Sequence, residues 1–399
     1  MSAISPDASG AAAGGAAAAG DLFQILRDGR PRTRTEIAAM TGLARSTVAL
    51  RVEALMRLGF VRHVGEAVST GGRPSTQFAM DLLGRVVLAV DVGASHLRVA
   101  LSDLAGTPVA ERFESIRIAD GPEIVLERIG ALAQELLDED PQRGSALLAV
   151  GVGLPGPVEF GTGRPVNPPI MPGWDRFDVA GVLGARFGVP VLVDNDVNIM
   201  ALGERALHWP GVDHLLYVKV ATGIGCGVIS GGLLQRGAQG TAGDIGHVQL
   251  ERATDVPCGC GNRGCLEAVA SGPAVARALR ALGVDAPDAQ AVIDLVRNGQ
   301  LDAIQAVRAA GRDVGSVLST CVSLINPSVI VIGGSMAQAG EHVIAGVREV
   351  VYSRSMPLAT EHLHIDQSRA GDRAAIHGAA ILAVEHMLAA ERIDAMTAA

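Results

Sequence analysis

Three of the five cysteines in this 399-residue chain, Cys258, Cys260 and Cys265, fall within eight positions, and His247 stands shortly upstream. Cysteines kept for bulk alone would not cluster in this way. Three thiolates and one imidazole complete the ligand set of a closed tetrahedral zinc site. The glycines between the cysteines let a short loop turn around an ion. The alternative is three small residues packed in a glycine-rich loop, and the joint presence of His and Cys at ligand-like spacing favours structural Zn2+. Thiols that hold a metal fit a reducing cytoplasm better than disulfides do. Asp244, His247 and Glu267 flank this loop and are polar enough to serve a site.

The amino-terminal part has a different texture. Residues 1–20 are rich in Ala, Gly and Ser, bury little apolar bulk and are expected to be disordered. From Asp21 to Met80 there are nine arginines against five acids, although the whole chain has a net charge of -9. A basic module on an acidic body points to a local polyanion contact. DLFQILRDGRP, TRTEIAAM and ARSTVALRVEALMRLGF predict three helices. Leu22, Ile25 and Leu26 share a face of the first, and Thr33 and Glu36 form a capping box before the second. The TGL turn between the second and third helices gives a helix-turn-helix. The start of the third helix then enters the major groove with Arg45, Ser46 and Thr47, and Arg51 lies one turn on. FVRHVGEAVSTGGRPSTQFAM predicts a two-stranded wing whose Arg73 lies along a phosphate backbone or in the minor groove. A small helical interaction domain is the competing assignment for 21–80. The basic charge and the wing favour DNA. No apolar run approaches the roughly 18–20 residues of a membrane helix, and the amino terminus lacks a basic n-region, so a cytoplasmic protein with no membrane partner is expected.

After Leu82 buried strands dominate. With 48% hydrophobic but only 3% aromatic residues, the core must be built from Val, Leu, Ile and Ala. VVLAVDVG is nearly all apolar, as for a strand buried on both faces. It turns at Asp91 and Gly93 into LRVALSDL, a hairpin suited to phosphates and a metal ion. LLYVKVATGIGCGVIS repeats this kind of hairpin, with Thr222, Gly223, Gly225 and Gly227 allowing backbone N–H groups close to phosphates. Two such hairpins are far more specific than one. VPVLV is a strand, Asn195 and Asp196 follow its end, and Val197 opens a helix. Ligands bind beyond the carboxyl ends of strands in open α/β folds, so Asp196 is either a general base toward a hydroxyl or a helix N-cap. Trp174 either stacks on a sugar or fills a hole. CVSLINPSVIVIGGSM reads as the last buried strand and HGAAILAVEHMLAAERI as the terminal helix. Lys219 is the only lysine, and genomic composition accounts for it.

VATGIGCGV, GAQGTAGDIGH and CGCGNRGCLE, together with the GGRP wing, resemble the ROK family of repressors, open reading frames and kinases, in its transcription-regulator branch. The resemblance runs from about Asp21 to the end. It implies an α/β fold: a winged helix-turn-helix at 21–80, then a two-lobed, actin-like (ribonuclease H-like) sugar-kinase fold. The small lobe is expected at 81–199 and the large lobe at 200–399, with a terminal helix near 377–393 packing back on the small lobe. The resemblance implies that Asp196 is the catalytic base of a kinase, and that Gly156, Asn195, Asp244, His247 and Glu267 contact sugar with it. His247 then offers one ring nitrogen to zinc and the other to sugar. Asp91, Gly93, Thr222, Gly223, Gly333 and Gly334 match the ATP side. Kinase members read D-x-G-G-T-K where this chain has DVGASH, carry Glu where it has Asp244, and carry Asn where it has Ile170. The sugar side is thus retained and the ATP side altered. The expected protein is a sugar-responsive repressor that binds operator DNA and a sugar or sugar phosphate as a homodimer or homotetramer. The alternative is a glucokinase-like enzyme using ATP and Mg2+. A zinc-stabilised interaction protein would leave Asn195, Asp196 and Glu267 without a role.

Overall fold

Residues 18–66, 75–144 and 146–398 are described by the computed structural model. Arg73 and the expected disorder of residues 1–17 lie outside these ranges. The chain divides into two compact units, one running up to Arg85 and resumed from Glu385, the other Val86–Val384.

The first unit contains α1 (Ala19–Leu26), β1 (Arg32–Thr33), α2 (Arg34–Thr41), α3 (Arg45–Arg57), β2 (Val61–Glu66) and β3 (Thr76–Met80). Disorder is expected up to residue 20, but Ala19 and Gly20 already belong to α1. Alanine is the strongest helix former. Thr33 Oγ1 accepts from Glu36 N at 3.2 Å, and Glu36 Oε2 accepts from Thr33 N at 2.7 Å, so the capping box forms. Gly42, at φ 69°, ends α2 in the left-handed region and turns the chain toward α3. The strands form an antiparallel sheet in the order β1-β3-β2. Val48, Val52 and Leu55 of α3 join Leu22, Phe23, Leu26 and Ile37 in the core. Phe23, against Phe60 at 5.6 Å, takes the core place expected for Ile25.

The second unit holds two five-stranded sheets. The first lobe comprises β4 (Val86–Val92), β5 (His96–Ser102), β6 (Pro108–Ser115), α4 (Pro122–Glu139), α5 (Pro141–Gly144), β7 (Leu147–Leu154), β8 (Val158–Glu159), β9 (Arg164–Pro165), α6 (Val179–Phe187), β10 (Val191–Asn195) and α7 (Asp196–His208). The second comprises β11 (Leu215–Val220), β12 (Ile224–Ser230), β13 (Leu233–Gln235), α8 (Leu266–Ala270), α9 (Gly272–Ala281), α10 (Ala289–Arg297), α11 (Leu301–Ile325), β14 (Val329–Gly333), α12 (Glu341–Arg354), α13 (Pro357–Thr360), β15 (His364–Gln367) and α14 (Arg373–Met387). Strand order is β10-β7-β4-β5-β6 in one sheet and β15-β14-β11-β12-β13 in the other. In each, three consecutive strands run antiparallel and two more add in parallel. The same topology therefore occurs twice, which is the two-lobed actin-like architecture.

Side-chain size sets which face each helix covers. Leu88, Val90, Val150 and Val152 point into a cluster with Val125 and Ile129 of α4 and Leu183 of α6. On the opposite face a Cβ at Gly151 would overlap the backbone of Ala379, so glycine lets α14 lie directly on β7. Two expectations change. Cys321–Ile325 continues α11 because Val314, Leu318 and Val322 keep helical spacing into the core; Asn326, at φ 49°, then caps it before Pro327. The last strand is β15, a short segment with little apolar signal. The terminal helix is also broken: α14 ends at Met387, and α15 (Ala390–Ala398) packs on α1 in the first unit. No described helix is long and apolar enough to cross a membrane.

Candidate functional site

The turns after β4, β7, β10, β11 and β14 converge on a cavity of about 430 Å³. Every residue expected on the sugar side and on the ATP side lines it. Asn195 is the N-cap of α7: its Oδ1 accepts from Val197 N at 2.9 Å. Its amide donates to Gly156 O at 2.7 Å, which joins two expected sugar residues. Asp196 is therefore the first helical residue and not the cap. Its carboxylate is buried and takes Lys219 Nζ at 2.5 Å. Burial works against the charge on Lys219, but Asp196, Asp91 and Glu267 outweigh it and raise the ammonium above its ordinary range.

On the other side, Asp91 ends β4 nearly buried, and His96 Nε2 sits 3.2 Å from its Oδ2. The hydrogen bond to Asp91 raises His96 above its ordinary value despite partial burial. The imidazole lies directly over Gly93, where a Cβ would overlap it. Glu267 Oε2 accepts from Ile224 N at 3.1 Å and so sits on the Thr222–Gly223 turn. Gly333 and Gly334 close the same cavity at the end of β14.

His247, Cys258, Cys260 and Cys265 present ligand atoms within 4.8 Å of one another. Cys260 Sγ lies 3.7 Å from Cys265 Sγ, and Cys258 Sγ lies 3.7 Å from His247 Nδ1. Tetrahedral bonds of about 2.3 Å to sulfur require sulfurs just under 4 Å apart, so the donor set fits zinc. Burial and the neighbouring sulfurs push the Cys265 thiol up to about 12, and a cation among the three sulfurs would favour their thiolate forms instead. With Nδ1 toward the cysteines, His247 Nε2 faces Asp244 at 4.0 Å. Trp174 is fully buried and donates from Nε1 to Ile118 O at 3.1 Å, so it fills a hole and lines no site.

In the first unit Arg45 and Ser46 are exposed at the start of α3, while Thr47 and Arg51 are half-buried. Ala44 caps this helix without a side-chain bond, leaving its first N–H groups free for anions.

Lys219 escaped the sequence because a lone lysine in an apolar strand has no pattern. Its partner Asp196 is 23 residues away. Arg236 was missed for the same reason. Its Nε donates to the buried Asp194 at 2.7 Å, its guanidinium lies 3.7 Å over Phe160, and Asn198 donates to Asp194 at 2.8 Å.

A family model described as the ROK family matches residues 87–386, and one described as the IclR helix-turn-helix domain matches residues 17–65. The chain is 28% identical over 381 residues to the xylose repressor of Caldicellulosiruptor bescii, covering 92% of this chain and 95% of that one. It is 30% identical over 319 residues to the glucokinase of Thermotoga maritima, covering 75% and 98%. A crystal structure of a ROK family transcriptional regulator, a homologue of the Escherichia coli MLC protein, shares the fold with TM-score 0.81 at 23% identity, over 95% of this chain and 98% of that one. A duplicated five-stranded lobe, a cavity between the strand ends and a helix-turn-helix ahead of them are thus found together in one lineage, and the chain belongs to the ROK family, as a transcription regulator with an N-terminal helix-turn-helix domain.

Proposed function

We propose that this chain is a cytoplasmic, sugar-responsive transcriptional repressor. The observation that carries this reading is one chain holding both an exposed, uncapped recognition helix and a polar cavity built around Asn195 and Asp196. Arg45, Ser46, Thr47, Arg51 and Arg73 read operator DNA as part of a homodimer or homotetramer. Gly156, Asn195, Asp196, Asp244, His247 and Glu267 hold the sugar. Zn2+ held by His247, Cys258, Cys260 and Cys265 orders the loop that carries the His247 imidazole and precedes Glu267. A sugar changes operator affinity by binding the DNA-competent and DNA-incompetent states unequally. The xylose repressor of C. bescii spans both units, which supports the reading.

The resemblance to a glucokinase supports a second reading, in which Asp196 takes a hydroxyl proton and ATP with Mg2+ binds beside Asp91, Gly93, Thr222, Gly223, Gly333 and Gly334. Two contacts weigh against it. Lys219 already occupies Asp196, and His96 already occupies Asp91. The decisive experiment is a mobility-shift titration of the purified protein on DNA adjoining its own gene, with and without a sugar panel. Salt-sensitive, sequence-selective binding that a sugar alters supports the repressor. Absence of sequence selectivity overturns it.

A further inference from the structure

Proteins recognise phosphate and carboxylate ligands with arginine forks, with lysine, or with turns of free backbone N–H groups. This cavity offers no described arginine, pairs its lysine with a carboxylate, and covers part of its turns with side chains. Thirty-three Lys and Arg residues occur in the chain, and only one is lysine, yet none of the described arginines lines the cavity. That one lysine, Lys219, is bonded to Asp196 at 2.5 Å. The remaining cation on this side, His96, is committed to Asp91 at 3.2 Å.

Three of the backbone donors at the cavity are taken as well. Ile224 N, the donor of the Thr222–Gly223 turn, gives its hydrogen to Glu267 Oε2, so a carboxylate already stands where an anion would bind. A Cβ at Gly223 would lie 2.7 Å from that oxygen, which shows how closely Glu267 covers the turn. Gly93 N donates to His96 O at 2.8 Å, and the imidazole covers the glycine. At the start of α7, Val197 N donates to Asn195 Oδ1. The surplus charge is negative, since Glu267 and Asp372 line the cavity and neither makes an ion pair among the described residues. A hydroxyl donates to such carboxylates, whereas a phosphate can only oppose them.

We propose that the cavity selects an unphosphorylated polyol, neutral or carrying an amine, and rejects sugar phosphates and sugar acids. This rests on the sugar reading given above and narrows it to one charge class. Lys219 and His96 act here as internal counter-ions to Asp196 and Asp91, whose carboxylate oxygens accept hydroxyls. Their pairing with carboxylates, in a cavity that no described arginine lines, is the device that sets the selectivity.

The test is thermal shift and calorimetry on the full-length protein with charge-matched probes: D-xylose, D-glucose, D-galactose and D-glucosamine, the phosphate monoester of each, and D-glucuronate. In parallel, inorganic phosphate and pyrophosphate are compared with chloride at equal ionic strength. A response to one parent sugar with its phosphate at least about tenfold weaker is the expected result. A sugar phosphate or glucuronate binding as well as the parent sugar overturns the proposal. If no sugar of either kind responds, the sugar reading itself fails, and the ion arm then decides the charge class: stabilisation by phosphate or pyrophosphate over chloride overturns it, and no difference supports it.

Discussion

Arg236 and Asp194 form an ion pair two residues before Asp196, and it ties the entry of α7 to the loop that follows β13. The other oxygen of Asp194 accepts from Asn195 N and Asn198 Nδ2, both at 2.8 Å. Replacing Arg236 with Leu leaves a buried carboxylate without its cation. The expected loss is about 3–5 kcal/mol of stability, read by urea denaturation. Adding Asp194→Asn should restore part of it, and a double variant no more stable than Arg236→Leu alone would show that the pair is not the source.

Asp196→Asn keeps the shape of the site but removes the charge that faces Lys219 and the cavity. Sugar-induced thermal stabilisation should disappear while operator affinity of the ligand-free protein is unchanged, because the helix-turn-helix belongs to the other unit. An undiminished thermal shift in the variant would take Asp196 out of the ligand site.

Cys260 faces Cys265 in the proposed zinc site, so Cys260→Ser should lower metal content and stability and weaken the sugar response through His247 and Glu267. Thiols must lose protons to bind zinc, so affinity falls as pH falls. Metal content after dialysis against chelator should drop steeply at mildly acid pH. A zinc-free variant with full sugar binding would make the loop's role purely structural.

The His96–Asp91 contact has its own pH signature. The folded-state value of His96 is raised above its ordinary 6.5 by the hydrogen bond to Asp91. The contribution is therefore fully present below 6.5 and is lost as pH rises through the raised value. The stability difference between wild type and His96→Asn should shrink across that window in denaturation curves taken at a series of pH values. A difference that grows with pH would reverse the assignment.

Arg45 begins α3 and is exposed. Arg45→Ala should weaken operator binding by about 1–3 kcal/mol and relax specificity at one base position. Anisotropy titrations on operator and scrambled DNA distinguish this from a phosphate contact, which would weaken both equally and lower the salt slope.

Features carried by local pattern were legible in the sequence. β4 reads as buried on both faces from its apolar run, and all seven of its residues are buried; the His/Cys cluster is legible because Cys258, Cys260 and Cys265 are nearly contiguous. Short apolar runs were ambiguous. CVSLI suits a buried strand or the end of a buried helix, and only the spacing back to Val314 decides between them. The role of Asp196 as base or cap stayed open until Asn195 was seen to hold the cap. Lys219 and Arg236 were illegible, since each meets its partner through the fold and leaves no trace in neighbouring residues.

The pairing of α1 with α15 has a consequence for connectivity. Gly20 N donates to Asp394 Oδ1 at 2.8 Å across 374 residues of chain, and Gln24 donates to Leu388 O at 2.7 Å. The ligand-binding unit is therefore an insertion inside the DNA-binding unit, entered after Arg85 and left before Glu385. The operator reader and its sensor share two covalent crossings instead of one linker. The helix Ala390–Ala398 is part of the reader's foundation, so a change there acts on the DNA-binding body and not on the sensor.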